Sequence, residues 1–533
     1  MKQIKIYDTT LRDGTQSEEI NLSVQDKVRI TRKLDDLGVH YVEGGWPGSN
    51  ATDREFFKEI QNYALKNCKV SAFGSTHMNR LTPENDPNLN ALIESGAKTM
   101  SIFGKTWDFH ATSALGVTLK RNIELIRNSI SYLHPHVEEL FFDAEHFFDG
   151  FKANPEFTLN CLKAAHEAGA DVLILCDTNG GSMPGEIVTA CKEVQEKIPG
   201  CHIGIHAHND CDLAVANSIT AVQNGAIQIQ GTMNGYGERC GNANLCSIIP
   251  NLELKLGYET IGKNKLIKLK ETSTYVTEIA NLRPFLRQPF VGQAAFAHKG
   301  GVHVSAVLKD STSYEHIDPL LVGNDRRVLL SDLSGKSNVL YKAKQYGYDL
   351  DKNDPAVQTI LAEIKERESI GFEYSAAEAS FELLFFKAMG WSKRYFEFIN
   401  FFVVDAKRKN DSEPFSEATV IVKVHGQENH TAASGDGPVN ALDKALRKAL
   451  EPFYPSLKEV RLQDFKVRVL SGAVRQAAGT SSNVRLLIES TDGKSQWTTM
   501  GVSHNIIEAS WQALVDSINY KLFKDDPQKW PSR

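Results

Sequence analysis

Long runs of a single residue class are missing from this sequence, and each absence excludes a class of protein. No stretch reaches the roughly 20 consecutive apolar residues that a membrane-spanning helix requires. No long basic run occurs either, and the formal net charge is −6, so neither nucleic acids nor membranes are expected as partners. The N-terminal residues lead directly into an apolar segment, so we expect no signal peptide.

Closely spaced cysteine pairs are also missing. The eight cysteines lie between Cys68 and Cys246, and no two of them form a CxxC motif. This spacing argues against a zinc ribbon or a disulfide framework and predicts reduced thiols in a cytoplasmic protein. A chain of 533 residues, 41% of them hydrophobic and 24% charged, has an ordinary globular composition and the length of roughly three domains.

A repeated order of helix, glycine and apolar strand organises the first half of the chain. Four glycines each follow an amphipathic segment and precede a strand candidate, which is the pattern of a glycine that ends a helix. They are Gly38, Gly96, Gly169 and Gly225. Together with the segments between them, eight strands are predicted, at 4–8, 41–44, 69–73, 99–103, 139–143, 172–177, 202–206 and 227–232.

This alternation predicts an α/β fold of the (β/α)8 TIM-barrel type, since eight such strands occupy roughly 250 residues. A doubly wound open sheet is the alternative, but its GxGxxG motif does not follow the first strand. In a TIM barrel the chemistry lies at the C-terminal ends of the strands. Polar residues follow six of the eight predicted strands, so we expect their side chains to converge on one mouth.

Two histidines at the end of the seventh strand predict a metal site. His206 and His208 are two residues apart, so both side chains lie on the same side of the strand. Asp13 is the natural carboxylate ligand, and Asn242 offers an amide oxygen, although Gly241-Asn242 is also good turn sequence. Imidazole and oxygen ligands suit a divalent ion such as zinc, manganese or magnesium, with open positions for a substrate.

Several motifs occur in a distinctive order along the chain. They are DTTLRDG at 8–14, Glu43, HAHND at 206–210 and GERCGNA at 237–243. This order resembles the barrel enzymes of the 2-isopropylmalate, homocitrate and citramalate synthase family, which are relatives of hydroxymethylglutaryl-CoA lyase. The likeness covers nearly the whole chain, and the segment YVEGGWPGSN at 41–50 resembles the citramalate synthase branch.

The resemblance implies a metal-dependent condensation of acetyl-CoA with pyruvate, followed by thioester hydrolysis to (R)-citramalate and CoA, in isoleucine biosynthesis. It also implies the four metal ligands named above, Asp13, His206, His208 and Asn242. The closest alternative uses 2-oxoisovalerate, as a 2-isopropylmalate synthase does. A hydroxyacyl-CoA lyase and a non-enzymatic ligand sensor are further alternatives.

Roles in 2-oxo acid binding follow from the same resemblance. Arg12 would contact the keto oxygen and stabilise the alkoxide that develops there. Thr178 would hold the carboxylate of the 2-oxo acid, and Asp13 would take part in binding the substrate through the metal. Glu43 would orient Arg12, although an ordinary ion pair at the end of the barrel is the alternative.

Roles in proton transfer are implied for residues on either side of the first predicted domain boundary. Glu145 and His303 correspond to positions that move protons on acetyl-CoA and its water, and Tyr314 lies near a tyrosine that contacts the active site in the family. The family usually has an acid and a glycine two and three residues after the histidine. Here Ser305 and Ala306 occupy those positions, so the role of that acid is missing or displaced.

Three domains are predicted: a catalytic barrel at 1–265, helical linker subdomains that cover its mouth at 266–404, and an α+β regulatory domain at 405–533. The last contains two strand–strand–helix units, whose helices begin after glycines at 435–437 and 501. Those helix starts suit an amino-acid carboxylate. The resemblance implies a branched-chain effector, with isoleucine favoured, and a homodimer; a plain dimerisation module is the alternative.

Overall fold

A computed structural model describes residues 2–330, 335–391, 393–407, 409, 413–470 and 482–526. Contacts within the chain divide it into two compact units. The first comprises Met1–Phe296 and His316–Arg326, and the second comprises Ala297–Glu315 and Arg327–Arg533. None of the described helices is long and apolar enough to cross a bilayer. The eight cysteines are all free thiols.

Eight parallel strands close into a barrel in the first unit, which confirms the predicted TIM barrel. Each strand pairs with the next, and the eighth pairs with the first. Five strands continue one or two residues past their predicted ends, and one of these extensions includes Glu145. The strands are β1 (Lys5–Asp8), β2 (Tyr41–Gly45), β3 (Lys69–Ser75), β4 (Thr99–Lys105), β5 (Glu139–Glu145), β6 (Val172–Asp177), β7 (Ile203–Ala207) and β8 (Gln228–Gly231).

The helices of the first unit surround the barrel and connect its strands. They are α1 (Val24–Leu37), α2 (Ala51–Ile60), α3 (Pro87–Glu94), α4 (Leu119–Leu133), α5 (Phe147–Ala153), α6 (Pro155–Glu167), α7 (Pro184–Lys197), α8 (Ala214–Gln223), α9 (Leu245–Pro250) and α10 (Leu269–Ile279). The helix α1 begins with a capping box between Ser23 and Asp26 and ends at Gly38, whose φ is 95°. The other three predicted helix-ending glycines also have positive φ.

The interior of the barrel is built in layers, because alternate side chains of each strand point inward. An aromatic layer contains Tyr7, Tyr41 and Phe141, with the Phe141 ring 5.8 and 5.2 Å from the two tyrosine rings. Two residues further along β2 and β5, the inward positions are Glu43 and Asp143, both buried. A packed aromatic layer therefore supports a polar layer at the C-terminal ends of the strands.

The second unit contains four helices before its C-terminal sheets. They are α11 (Gly301–Lys309), α12 (Lys336–Gln345), α13 (Pro355–Ser369) and α14 (Glu378–Ala388). The strands β9 (Ala297–His298) and β10 (Arg327–Val328) form a short parallel pair. The helical character predicted from sequence for this part of the chain is present, and the short strand pair was not predicted.

Two three-stranded antiparallel sheets follow, and in the chain a helix comes directly after each of them. The repeat was predicted correctly, but the prediction of two strands in each unit is wrong, since each sheet has three. Two strands were missed, at 397–406 and 427–435; the second is rich in polar and small residues and none of its residues is buried, so it lacks an apolar alternation. The elements are β11 (Glu397–Ala406), β12 (Phe415–Val424), β13 (Gln427–Gly435), α15 (Pro438–Leu450), β14 (Arg461–Leu470), β15 (Asn483–Thr491), β16 (Gln496–Ser503) and α16 (Ile506–Asp525).

Candidate active site

A tight turn after β1 carries two of the predicted site residues, Arg12 and Asp13. The carboxylate of Asp8 accepts hydrogen bonds from the backbone N–H and the hydroxyl of Thr10, at 2.9 and 3.0 Å. Burial raises the pKa of Asp8 to about 7, and the hydrogen bonds from Thr10 oppose this rise. The backbone N–H of Arg12 donates to the carbonyl of Thr9. Asp8 therefore holds the turn that presents the next charged residues.

The Arg12 side chain is fixed on three sides. Its Nε lies 2.5 Å from Glu43 Oε2, its Nη1 lies 3.3 Å from Asp13 Oδ2, and its Cζ lies 3.7 Å from the centre of the Phe73 ring. Tyr7 donates its hydroxyl to the other oxygen of Glu43 at 2.9 Å. Burial acts to lower the pKa of Arg12, but Glu43 and Asp13 outweigh it and hold that pKa above its usual value.

Three predicted metal ligands meet in the barrel mouth. Asp13 Oδ2 lies 3.0 Å from His206 Nε2 and 3.6 Å from His208 Nε2, and the two histidine nitrogens are 3.4 Å apart. Burial acts to raise the pKa of Asp13, but Arg12 and the two histidines hold it well below its usual range. Asp13 is therefore anionic. One carboxylate and two imidazoles form a donor set that fits a divalent cation.

The Nδ1 atom of each histidine lies close to a hydrogen-bond acceptor. His208 Nδ1 lies 2.7 Å from the carbonyl oxygen of Thr178, and His206 Nδ1 lies 2.8 Å from the side-chain oxygen of Gln230. The Gln230 oxygen accepts, so the hydrogen of a neutral His206 ring is on Nδ1 and its Nε2 lone pair is available to a cation that Asp13 also binds. His208 Nδ1 also lies 3.0 Å from Arg239 Nη2, which only donates, so Thr178 is not the sole partner of that nitrogen.

Asn242 has a buried oxygen with no hydrogen-bond partner in the described part of the chain. Its backbone forms a β-bridge with His208, and its side-chain NH2 donates to the carbonyl of Tyr236 at 3.1 Å. The donated hydrogen bond fixes the amide, so its oxygen is the free end. An unpartnered buried oxygen is costly unless a ligand compensates it, so Asn242 fits the role of a fourth metal ligand. Gly241, with φ of 88°, forms the predicted turn beside it.

The ends of β5 and β6 carry the remaining predicted residues of the barrel. Thr178 follows β6, and its hydroxyl oxygen accepts a hydrogen bond from the backbone N–H of His146 at 2.8 Å. The hydroxyl hydrogen of Thr178 is thereby left to donate elsewhere. Glu145 ends β5 and forms an ion pair with Lys105, the last residue of β4.

Comparisons with known proteins agree with this geometry. Residues 3–276 match the HMGL-like family model, 290–371 match the homocitrate synthase post-HMGL domain-like model, and 375–522 match the LeuA allosteric (dimerisation) domain. An (R)-citramalate synthase of Geobacter sulfurreducens is 55% identical, over 99% of both chains. One of Aquifex aeolicus is 53% identical, also over 99% of both chains. The chain belongs to the (R)-citramalate synthase family.

More distant members of the wider family are also similar along the whole chain. A probable 2-isopropylmalate synthase of Methanosarcina mazei is 31% identical, over 98% of this chain and 96% of its own. Citramalate synthases and a probable 2-isopropylmalate synthase are therefore both similar to this chain over nearly its whole length. The higher identity is to the citramalate synthases.

Four residues in the barrel mouth were missed by sequence analysis. Gln230 forms a hydrogen bond with His206, Asp143 accepts one from Gln230, and Lys105 forms an ion pair with Glu145. His146 has a left-handed backbone with φ of 57°, which is uncommon for a residue other than glycine. The left-handed turn presents its N–H to Thr178. An acid between the apolar residues Phe142 and Ala144 is the signal that could have identified Asp143.

His303 and Tyr314 belong to the second unit, where their rings stack with centres 4.3 Å apart. In the same unit, His298 Nε2 lies 2.9 Å from a buried carboxylate oxygen of Glu315. Ser305, which replaces the acid usual in the family, lies on α11. The roles of His303 and Tyr314 in catalysis stay predictions.

Substituting Gly241 tests whether the turn before Asn242 supports metal binding. A Cβ at Gly241 would lie 2.0 Å from the carbonyl oxygen of Gly235, so Gly241→Ala must shift the loop that carries Asn242. We expect affinity for a divalent ion to fall by about 10- to 100-fold, as when support for a ligand is lost. The measurement is calorimetric titration of chelator-treated protein with Mn²⁺.

The matched control is Gly185→Ala in α7. A Cβ at Gly185 meets no atom within 4 Å, and its φ is not positive, so affinity should not change. Unchanged affinity in Gly241→Ala as well would contradict a ligand role for Asn242.

Proposed function

We propose that this chain is an (R)-citramalate synthase that converts acetyl-CoA, pyruvate and water into citramalate and CoA. The observation that carries the proposal is identity of 55% to a citramalate synthase over 99% of both chains. The cluster of Asp13, His206 and His208 supports it, because a 2-oxo acid is a good bidentate ligand for a metal. We further propose a place in isoleucine biosynthesis and a cytoplasmic location, the latter from the absence of disulfides.

The proposed metal ligands are Asp13, His206, His208 and Asn242, and the ion is zinc, manganese or magnesium. When bound, such an ion supplies a Lewis acid that polarises the keto group of the 2-oxo acid. Metal binding needs no large rearrangement of three of these residues, because the ligand atoms of Asp13, His206 and His208 already lie within 4.8 Å of one another.

Binding of the 2-oxo acid is proposed for Arg12 and Thr178. The guanidinium of Arg12 is held by Glu43 and Phe73 before any substrate arrives, so it can stabilise negative charge on the keto oxygen without reorganisation. The Thr178 hydroxyl accepts from His146 and therefore has its hydrogen free to donate to the substrate carboxylate. Glu43 acts through Arg12 and is a positioning residue.

Proton transfer is proposed for Glu145 and His303. A methyl group beside a thioester is a weak acid, so its proton must be removed by a base held in position. Glu145 is at the end of β5, and its ion pair with Lys105 holds the carboxylate in one place. His303 is proposed to act in proton transfer on the water that hydrolyses the thioester, with Tyr314 stacked on its ring.

The nearest alternative is a 2-isopropylmalate synthase that uses 2-oxoisovalerate. The identity of 31% to a probable enzyme of that name is well below the 55% found for a citramalate synthase. A panel of 2-oxo acids with acetyl-CoA, measured by free thiol release, separates the two. We expect pyruvate to give the highest kcat/KM. A higher value with 2-oxoisovalerate would contradict the proposal, and no thiol release with any acid would favour a binding protein.

Removing one histidine tests the metal site. His206→Ala should lose the bound divalent ion and turnover while keeping the barrel, because the ligands lie at the mouth and not in the apolar core. Metal content by elemental analysis, turnover and a thermal melt are measured together. Full metal content with normal turnover would exclude His206 as a ligand.

Replacing Arg12 with lysine tests how the alkoxide is stabilised. Lysine keeps the positive charge but loses the planar fork that meets Glu43. We expect kcat to fall by at least about 100-fold, which is the scale for losing one preorganised donor. If KM for pyruvate alone changes in Arg12→Lys, the residue binds the substrate and does not stabilise the transition state.

A homodimer regulated by isoleucine is proposed for the second unit. Its match to the LeuA allosteric (dimerisation) domain supports this proposal. The outer strands of both sheets expose large apolar side chains, such as Phe402 at 60%, Val404 at 57% and Val469 at 55%. Exposed apolar residues of this kind are typical of an interface between proteins.

The start of α15 suits the carboxylate of the effector better than the start of α16 does. Asn505 caps α16, and its side-chain oxygen accepts from the N–H groups of Ile507 and Glu508. Gly437 precedes α15 and has no side chain that could accept a hydrogen bond from the start of the helix. Among the described residues, the first N–H groups of α15 therefore have no side-chain cap. The positive end of the helix dipole adds to the attraction for an anion.

Gly437→Asp tests this site by placing a competing carboxylate at the helix start. Its φ of −179° is open to any residue, and a Cβ there meets no atom within 4 Å, so the fold should be kept. We expect inhibition by isoleucine to be lost while turnover without effector is unchanged. Gln427→Asp, on the exposed start of β13, adds the same charge as a control. If isoleucine does not inhibit the wild-type protein, the effector assignment is wrong.

A further inference from the structure

A chain of hydrogen bonds leads from the interior of the barrel to one metal ligand. The hydroxyl of Ser101 donates to Asp143 Oδ1 at 2.8 Å, and the side-chain NH2 of Gln230 donates to the same oxygen at 3.1 Å. The side-chain oxygen of Gln230 lies 2.8 Å from His206 Nδ1. The four residues are on four strands of the barrel, and all are buried.

The direction of this chain follows from Asp143. The Oδ1 atom is an acceptor for both of its neighbours, so the NH2 end of the Gln230 amide must face it. The carbonyl end of the amide then faces His206 and can only accept. The hydrogen of a neutral His206 ring is therefore on Nδ1, and the lone pair on Nε2 is available to a cation that Asp13 also binds.

His208 has different partners, since its Nδ1 also lies 3.0 Å from Arg239 Nη2. Its Nδ1 meets the backbone carbonyl of Thr178, and a backbone carbonyl cannot exchange its oxygen for a nitrogen by rotating. The amide of Gln230 can rotate by half a turn and would then present a donor to His206. A donor there would favour the opposite tautomer, whose hydrogen on Nε2 blocks metal coordination. Only a fixed acceptor on the far side of the amide prevents this rotation.

We propose that Asp143 and Gln230 are positioning residues that set the tautomer of His206 and thereby the metal affinity of the site. The proposal rests on the proposed metal ligands and extends them to residues that do not touch the ion. The Ser101 hydroxyl donates to the same oxygen of Asp143 as Gln230 does, and so holds the carboxylate in one orientation.

The central experiment compares two glutamines of the same strand. Gln230→Leu removes the acceptor for His206 Nδ1, and we expect affinity for Mn²⁺ to fall by about 10- to 100-fold, the usual effect of losing an outer hydrogen-bond partner. Gln228 is also buried on β8, but its side-chain NH2 has no hydrogen-bond partner among the described residues. Gln228→Leu makes the same chemical change away from His206 and should leave the affinity unchanged.

A second pair of variants acts at Asp143. Asp143→Asn keeps an oxygen that can accept from Ser101 and Gln230, although this amide can itself rotate, so affinity should fall less than in Asp143→Leu. Asp143→Leu removes the acceptor, frees the amide to rotate and should reduce affinity as Gln230→Leu does. Calorimetric titration of chelator-treated full-length protein gives the affinity, and a thermal melt without metal verifies that each variant is folded.

The outcomes separate this proposal from the metal site on which it rests. If wild type binds Mn²⁺ and Gln230→Leu binds it equally well, the positioning role is wrong and the metal site is retained. Equal losses in Gln228→Leu and Gln230→Leu would assign the effect to barrel packing and overturn the proposal. Absence of Mn²⁺ binding by the wild-type protein would overturn both. If Gln230→Leu does not fold, the contrast between Asp143→Asn and Asp143→Leu decides.

Discussion

Parallel hydrogen bonding between β1 and β8 closes the barrel, and the candidate metal site depends on this closure. Lys5–Asp8 pairs with residues 228–231, and the hydroxyl of Thr9 extends the contact by donating to Gly231 across 222 positions of sequence. Closure sets the turn after β1 near the end of β7. Asp13 and His206 can then approach to 3.0 Å although they come from opposite ends of the barrel sequence.

Buried charge in the mouth is compensated by partners that also hold the proposed functional groups in place. Burial raises the pKa of Glu43, and its ion pair with Arg12 opposes this effect. Asp13 is paired with Arg12 and both histidines, so its charge is retained. Removing the Arg12 cation would leave the buried carboxylates of Asp13 and Glu43 without their charged partner, which is destabilising. The aromatic layer of Tyr7 and Phe141 adds packing beneath these groups. Stability and preorganisation therefore depend on the same contacts.

The second unit has a continuous core of its own, which links helices to the C-terminal sheets. Phe385 of α14 and Leu514 of α16 belong to one buried cluster, and Ser380 of α14 donates to Asp516 of α16 at 2.7 Å. The strand β11 crosses the predicted boundary between residues 404 and 405. An effector that shifts either sheet would therefore act on the helices through packed side chains. Such coupling requires a ligand that binds two states with different affinity.

Local periodicity in the sequence was enough to predict the eight strands, the four helix-ending glycines and the pairing of His206 with His208, because these patterns depend on near neighbours. The strands β11 and β13 were not predicted. The sequence of β13 lacks the apolar alternation of a half-buried strand. Only the tertiary structure identified Gln230 as a hydrogen-bond partner of His206 and Asp143 as a partner of Gln230. It also showed that the Asn242 oxygen has no hydrogen-bond partner among the described residues. The physical reason is that hydrogen-bond partners across a closed barrel are chosen by strand register and side-chain direction, which no short stretch of sequence contains.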